Sequence, residues 1–245
     1  MKKIILLLFC SAFSFLLFAQ DSTRVQIQVP KKKSSIDLSN RANDHFLIQF
    51  GYAGWTGRPD SLNIGGLSKS FNVYFMFDFP FKTNPHLSMA FGPGIATDHI
   101  LFKKTLVGIK DLTPTFRFID QSDTNHFKKT KLATAYLEAP IEFRYSADPA
   151  TGKGFKFAVG VKIGALINAH TRNTKWESKS GSTLNDYTMK EASKHFLNKN
   201  RLLATARFGY GHLSVYGSYQ LTAFIREGLG PNVKPYSIGL TLSGL

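Results

Sequence analysis

The sequence predicts an all-β protein: an eight-stranded antiparallel up-and-down transmembrane β-barrel with short periplasmic turns and long extracellular loops. Three observations predict it: eight segments in which apolar and polar residues alternate, connections that alternate between short and long, and polar rows that carry few charges. Alternation with a period of two indicates strands whose two faces meet different surroundings. An even strand number with tight turns at one rim is typical of transmembrane barrels.

The N-terminus predicts export. After the positively charged start MKK, an apolar run from Ile4 to Phe18 ends at the small residue Ala19, the pattern of a signal peptide over residues 1–19. This run is shorter than the roughly 20 residues that a membrane-spanning helix needs. Cys10 is the only cysteine and lies inside the run, so we expect the mature chain to lack disulfides and thiol chemistry.

Two segments follow the predicted signal peptide. Residues 20–44 contain Pro, Ser and three consecutive lysines without a regular period, which is typical of a flexible segment, and we expect it in the periplasm. Residues 45–245 contain all eight alternating segments and form the predicted barrel domain. The domain has an ordinary length for a single unit.

Each predicted strand has one apolar, often aromatic row and one polar or small row. The longest exceed the five or six residues that are usual for globular strands. In chain order the segments are HFLIQFGYAGW (45–55), FNVYFMFDFPF (71–81), HLSMAFGPGIAT (86–97), YLEAPIEFRY (136–145), KGFKFAVGVKIGALIN (153–168), RLLATARFGY (201–210), LSVYGSYQL (213–221) and KPYSIGLTLSGL (234–245).

The connections between these strands take turns in length. A soluble sandwich with Greek-key crossings has no reason to alternate in this way, whereas an up-and-down barrel does. Loops are predicted at 56–67, 98–131, 172–200 and 223–233, and tight turns at 81–86, at 146–153 and around Gly211.

The polar rows indicate which face meets lipid. A soluble lipid-binding barrel would carry repeated Lys and Glu on its outer rows, but the polar rows here are rich in Gly, Ala, Ser and Thr, which suit the crowded interior of an eight-stranded barrel. We therefore expect the apolar rows to face lipid, with representatives Phe75, Phe77, Phe143, Val161, Phe208 and Leu240. Aromatic residues at strand ends are predicted at the membrane interfaces, namely Trp55, Phe71, Phe81, Phe155, Tyr210 and Tyr236.

Charged residues within the polar rows predict an ionic network in the lumen. Glu138 and Glu142 lie about 13 Å apart along one strand, whereas hydrolytic carboxylate pairs lie about 5 to 9.5 Å apart. Charges in a confined interior require partners, so we expect a structural network that leaves no continuous water path. Its predicted members are Glu138, Glu142, Arg144, Lys156, Lys162 and Arg207.

The net charge of +15 is concentrated in the predicted loops. Lysines there are candidates for contacts with lipid phosphates, including those of lipopolysaccharide, although a solvated loop would have the same composition. We expect no nucleic-acid partner for an exported barrel. The candidate lipid-phosphate contacts are Lys103, Lys104, Lys128, Lys129 and Lys131.

The sequence predicts neither an enzyme nor a cofactor or metal site. His99, His126, His170 and His195 lie near the predicted loops, but no histidine pair has metal-ligand spacing and no nucleophile motif surrounds a serine. Scattered histidines of this kind are typical of solvated loops.

Three segments resemble a known family. YLEAPIEFRY after a long loop, FKFAVGVKIGALINAHT and the closing PYSIGLTLSGL are similar to the porin-like or PorT-like outer-membrane β-barrel proteins of Bacteroidota, over residues 45–245. The resemblance implies an eight-stranded barrel in the cell outer membrane, inserted by the barrel-assembly machinery. It implies little about activity, although the best-known relatives are linked to type IX secretion. Leu245 departs from the aromatic residue that commonly ends outer-membrane strands.

The sequence leaves three functions open. We favour a structural or accessory barrel in a surface or secretion assembly, with proteins of that assembly and outer-membrane lipids as partners. A loop-borne binding protein for a surface ligand or lipopolysaccharide is the second. A lipid-modifying enzyme at the outer rim is the third.

Overall fold

The fold is all-β over the described part of the chain. The computed structural model describes residues 45–60 and 62–244, so the predicted signal peptide and the segment 20–44 lie outside the described residues. Within those two described ranges, no helix is long and apolar enough to span a membrane.

The described residues form thirteen strands. In chain order they are β1 (Phe46–Thr56), β2 (Lys69–Phe75), β3 (Phe77–Phe81), β4 (Asn84–Phe91), β5 (Gly94–Phe102), β6 (Thr105–Val107), β7 (Phe118–Asp120), β8 (His126–Ser146), β9 (Phe155–Glu177), β10 (Thr183–Ala192), β11 (Asn200–Tyr210), β12 (Leu213–Gln220) and β13 (Lys234–Ser243).

Eleven of the strands form one sheet, and their pairings are antiparallel. Because β9 pairs with both β8 and β11, the pairings lead from β9 through β11, β12, β13, β1, β2, β5 and β8 back to β9. We call this set, with β3 and β4, the strand ring. β10 extends the ladder of β9, and β6 and β7 form a separate two-stranded sheet.

The strand number differs from the predicted eight for identifiable reasons. β2 and β3 are parts of one predicted strand interrupted at Met76, whose N–H donates to the carbonyl of His45 at 2.6 Å. β4 and β5 are parts of another, interrupted at Gly92 and Pro93, because proline has no N–H for a sheet ladder. The remaining additions, β6, β7 and β10, lie in segments predicted as loops.

The predicted loop at 98–131 is too long. β5 continues to Phe102 and β8 already begins at His126, so the connection is 103–125. The N-terminal part of β8 is held by pairing with β5 and β9. Pairing of this kind leaves no alternating pattern in the sequence, so this part of the strand was predicted as a loop.

The predicted loop at 172–200 is corrected in the same way. β9 continues to Glu177, and β10 occupies 183–192 and pairs with the end of β9. A register shift between Ala135 and Tyr136 of β8 exchanges the inward and outward rows of β9 beyond this point, which obscures a single period-two pattern.

Side chains alternate between the inside of the strand ring, where they are buried, and its outside, where they are exposed. Lys162 is 1% exposed, whereas Phe208 is 57% exposed. The exposed apolar band, which we call the apolar belt, includes Phe50, Phe71, Phe75, Phe77, Ile95, Leu137, Phe143, Val161, Ile163, Ile167, Phe208, Val215, Ile238 and Leu240. All six representatives predicted to face lipid lie in it.

The connections define two ends of the strand ring. The turn end has the short connections 82–83, 147–154 and 211–212. The loop end has the long connections 57–68, 103–125, 178–199 and 221–233.

Candidate functional site

Three neighbouring strands, β8, β9 and β11, supply most of the charged side chains in the interior of the strand ring. Inward side chains of β9 are small where charged side chains of the flanking strands β8 and β11 meet. Gly164 lies in register between Glu138 and Arg201, and Ala158 lies in register between Arg144 and Arg207. Charged side chains from β8 and β11 can therefore contact each other across β9.

The upper polar cluster, which is nearer the loop end than the second one, is centred on Glu138. Nε of Arg201 donates a hydrogen bond to Oε1 of Glu138 at 2.6 Å, and Nη1 of Arg201 donates to Oδ2 of Asp98 at 2.8 Å. The guanidinium carbon of Arg201 also lies 3.6 Å from the ring centroid of Tyr136. Ion pairs, hydrogen bonds and a cation–π contact thus fix one buried guanidinium.

Lys162 joins this cluster through neutral groups. Its Nζ donates to Oε1 of Gln49 at 2.8 Å and to the hydroxyl of Tyr74 at 3.1 Å. The hydroxyl of Tyr74 in turn donates to Oε2 of Glu138 at 2.6 Å. A continuous hydrogen-bonded chain therefore leads from the ammonium group to the carboxylate.

A lower polar cluster lies toward the turn end and is centred on Glu142. Its Oε2 accepts hydrogen bonds from Nε of Arg144 and from Nη2 of Arg207, both at 2.9 Å. Nη1 of Arg144 lies 3.8 Å from Oδ1 of Asp78. One carboxylate is thus shared by two guanidinium groups from different strands.

Two cavities between the inward side chains are water-sized. One of about 20 Å³ adjoins the upper cluster, and one of about 30 Å³ adjoins Arg144, Lys156 and Arg207. A cavity needs a volume of roughly 10 to 15 Å³ to hold one water molecule. Nη1 and Nη2 of Arg144 have no hydrogen-bond acceptor among the described residues, so the lower cavity is suited to hold one or two bridging waters.

The structure places all six predicted lumen residues inside the strand ring. Glu142 contacts both Arg144 and Arg207, whereas Lys162 contacts Gln49 and Tyr74 rather than a carboxylate. The sequence reasoning missed two members of the upper cluster. Arg201 lies in the same inward row of β11 as Arg207, and Asp98 lies in the same inward row of β5 as the buried Ala96. The alternation of inward and outward positions along each strand, which we call row parity, could therefore have identified both residues.

The four loop-end connections fold together into a second, apolar layer, which the sequence reasoning also missed. Each connection contributes at least two side chains to it. We call this layer the apolar cap, and it contains Leu62, Ile64, Val107, Ile109, Phe116, Phe118, Phe196, Leu197, Phe224, Ile225, Leu229 and Val233. It is continuous with the inward side chains Trp55, Ile100 and Phe102 at the loop end of the strand ring.

The predicted position of Trp55 is wrong. It was predicted at a membrane interface, but it is 5% exposed and packs within the apolar cap, with its ring centroid 5.1 Å from that of Phe224 and 5.6 Å from that of Phe102. Its odd position on β1 places it in the inward row with Leu47 and Ala53. The other five predicted interface aromatics are exposed or half-buried.

Backbone hydrogen bonds hold the cap segments together. The N–H of Phe116 donates to the carbonyl of Leu229 at 2.6 Å, and the N–H of Asn198 donates to the carbonyl of Phe224 at 2.9 Å. The rings of Phe116 and Phe196 are stacked with centroids 5.3 Å apart. The cap therefore covers the loop end of the filled interior.

The five candidate lipid-phosphate lysines occupy three environments. Lys103 and Lys104 lie at the start of the connection 103–125, whereas Lys128, Lys129 and Lys131 lie on β8 rather than in the predicted loop. Lys128 forms an ion pair with Glu177 at 3.0 Å. Lys129 and Lys131 project from the outer wall of the strand ring, where they line an open groove together with Lys103.

The described histidines do not assemble into a metal centre. Among residues 45–60 and 62–244, no group of three or more His, Cys, Asp or Glu side chains could hold a metal ion. His99 and His170 lie on the outer wall in register with Ala133, and Nδ1 of His126 is hydrogen-bonded to the carbonyl of Thr124.

Electrostatics at the turn end are local. The side-chain hydroxyl and the backbone N–H of Thr151 donate to Asp148 and hold the pKa of this exposed carboxyl below its ordinary value. In the connection 103–125, the hydroxyl and the N–H of Ser122 lower the pKa of Asp120 in the same way.

Comparison with known proteins agrees with this geometry. A family model described as outer membrane protein beta-barrel domain matches residues 18–225, which is most of the chain. No functionally curated protein matches it. The antiparallel strand ring, the exposed apolar belt and this match lead to one conclusion. The chain belongs to the outer membrane protein beta-barrel domain family.

Proposed function

We propose that the protein is a sealed, non-catalytic barrel of the cell outer membrane that acts as a structural or accessory component of a surface or secretion assembly. In this proposal the strand ring is an eight-stranded up-and-down barrel, with the turn end in the periplasm and the loop end outside the cell. The family match, the cycle of antiparallel pairings and the alternation of connection lengths support the proposal.

The filled interior is the observation that carries the sealed state. Two polar clusters occupy the strand ring, the two cavities beside them are water-sized, and the apolar cap covers the loop end. A solute path would require separating Glu138 from Arg201 and Glu142 from Arg207. Breaking a buried ion pair costs about 3 to 5 kcal/mol because an uncompensated charge remains.

Planar-bilayer recording tests the sealed state. The refolded full chain should give no large, steady conductance, while a porin of 16 or more strands added to the same bilayer should give one. Reproducible open-channel steps from the protein alone would refute the proposal.

The assembly role is supported by the exposed strand β10. It lies at the end of the sheet and rises beyond the strand ring on β9, with Leu184 and Tyr187 exposed. An exposed strand edge presents N–H and C=O groups that can pair with a strand of another protein. The similarity of YLEAPIEFRY to PorT-like proteins of Bacteroidota supports a secretion assembly as the setting.

Site-specific crosslinking tests this role. A photo-crosslinking residue at Tyr187 should capture a stoichiometric protein partner in native membranes, whereas the same residue at the exposed Tyr210 near the turn end should not. Capture of lipid or the barrel-assembly machinery alone at both positions would contradict the assembly role.

A further inference from the structure

The outer wall of the strand ring carries a row of cations in direct register. Lys131 of β8 pairs with Arg172 of β9, and Arg172 pairs with Lys190 of β10. Directly paired residues have Cβ atoms about 4.5 to 5.5 Å apart, and like charges at such positions are destabilising. We call Lys131, Arg172 and Lys190 the basic row.

Among the described residues, no acidic side chain compensates the basic row. Within the described residues, no carboxylate forms an ion pair with any of its three members. Glu191 is adjacent to Lys190 in sequence but is in register with the buried Thr171, which places it on the opposite face of the sheet. The arrangement is therefore one that an anion would stabilise.

Further basic groups and a groove surround the basic row. Lys69, His99 and His170 lie in the neighbouring register row toward the apolar belt. An open groove of about 540 Å³ adjoins Lys131 and Arg172 and is also lined by Lys103 and Lys129. Its volume is within the roughly 300 to 1,000 Å³ typical of small-molecule sites.

The height of the basic row selects the kind of anion. On β9, Arg172 is five residues from Ile167 of the apolar belt, about 16 Å along the strand at 3.3 Å per residue. At a strand tilt of about 40°, this is roughly 12 Å above the belt. The head-group region of a phospholipid leaflet is only about 5 to 8 Å thick. A phosphate carried above that region, on a saccharide head group, matches the height of the row.

We propose that the basic row binds the phosphates of a saccharide-bearing lipid whose acyl chains pack against the apolar belt below it. The inference rests on the proposed placement of the strand ring in the membrane. Arg172 supplies a planar fork of donors that suits phosphate oxygens, and the two flanking lysines add point charges. Binding relieves the mutual repulsion of the three cations.

The test compares two variants that each lose two positive charges. Lys131→Gln/Lys190→Gln removes both neighbours of Arg172, and Lys175→Gln/Lys179→Gln removes two lysines that form exposed ion pairs with Asp186 and Asp123. The refolded full chain is titrated with detergent micelles that contain lipopolysaccharide. We expect at least tenfold weaker binding for the first variant and less than a twofold change for the second.

Further measurements identify the ligand and test whether the first variant is still folded. Enzymatically dephosphorylated lipopolysaccharide and phosphatidylglycerol should bind at least tenfold more weakly than intact lipopolysaccharide, and inorganic phosphate should not compete at micromolar concentration. Without lipid, the first variant should unfold at the same or a higher urea concentration than the natural protein.

Equal losses in both variants, equal binding of phosphatidylglycerol, micromolar competition by free phosphate or destabilisation of the lipid-free first variant would each overturn the inference. Failure of the proposed membrane placement is a separate result. It would appear as failure of the natural chain to insert into lipid vesicles.

Discussion

Nε of Arg201 lies 2.6 Å from Oε1 of Glu138, although the two residues belong to strands that are separated by β9. Gly164 of β9 lies in register between them, and a Cβ atom at this position would lie 3.0 Å from Cγ of both neighbours. The absence of a side chain on β9 therefore allows an ion pair to form between its two flanking strands.

The first prediction concerns the missing side chain at Gly164. Gly164→Val should separate Glu138 from Arg201 and lower the free energy of unfolding by about 1 to 3 kcal/mol, the usual cost of overpacking a filled interior. Urea unfolding of the refolded protein measures it. Gly217→Val is the matched control, since a Cβ atom there meets nothing within 4 Å. Equal losses from both variants would show that the space at Gly164 is not special.

The second prediction concerns the lower cluster. Glu142→Gln should lower the free energy of unfolding by about 3 to 5 kcal/mol, because Arg144 and Arg207 would share no carboxylate and their charges would stay buried. Asp186→Asn breaks the exposed pair with Lys175 and should cost less than about 1 kcal/mol. A Glu142→Gln protein as stable as the natural one would contradict a structural role for this cluster.

The third prediction concerns the apolar cap. Phe116→Ala should destabilise the protein by about 3 to 5 kcal/mol or, if the cap unfolds separately, should expose the connection 103–125 to protease. Leu112→Ala in the same connection should have neither effect, since Leu112 is fully exposed. Protease resistance of the Phe116→Ala protein at natural stability would show that the cap is not a cooperative unit.

The fourth prediction concerns pH. Thr151→Val removes the hydroxyl donor to Asp148 and should raise the pKa of Asp148 toward its ordinary value. A lowered folded-state pKa contributes stability that is present above the unfolded-state pKa and is lost as pH falls through the folded-state pKa. Carbonyl-carbon NMR titration measures the shift. Asp120 is the internal control, because its donor is Ser122 and its pKa should not move.

Row parity explains how much of the fold could be predicted. Once a strand was recognised, its two rows assigned Phe75, Val161 and Leu240 to the exposed face and Glu138 and Lys162 to the buried face, as the structure has them. Trp55 lies in the inward row of β1, although an aromatic residue at a strand end is typical of a membrane interface. The apolar cap gives Trp55 the apolar surroundings that lipid gives to an aromatic residue at a membrane interface.

The cap and the basic row could not be predicted, because neither has a local period. Phe116, Phe196 and Phe224 are brought together from three connections by contacts distant in sequence. Arg172 and Lys190 both fall within the predicted loop at 172–200, and only the ladders of β9 with β10 and with β8 align them with Lys131. Such juxtapositions depend on register, which the turn chemistry of these long connections does not determine.

In the proposed function, the apolar rows face hydrocarbon while the polar rows fill a sealed interior. Val215 is 56% exposed and its neighbour Tyr216 is 1% exposed. Val215→Trp and Tyr216→Trp therefore place the same fluorophore on opposite faces of β12, and quenching by brominated acyl chains in vesicles, corrected for the natural tryptophans, measures lipid contact directly. We expect strong quenching at position 215 and none at 216, and stronger quenching at 216 than at 215 would refute the lipid-facing assignment of the apolar rows.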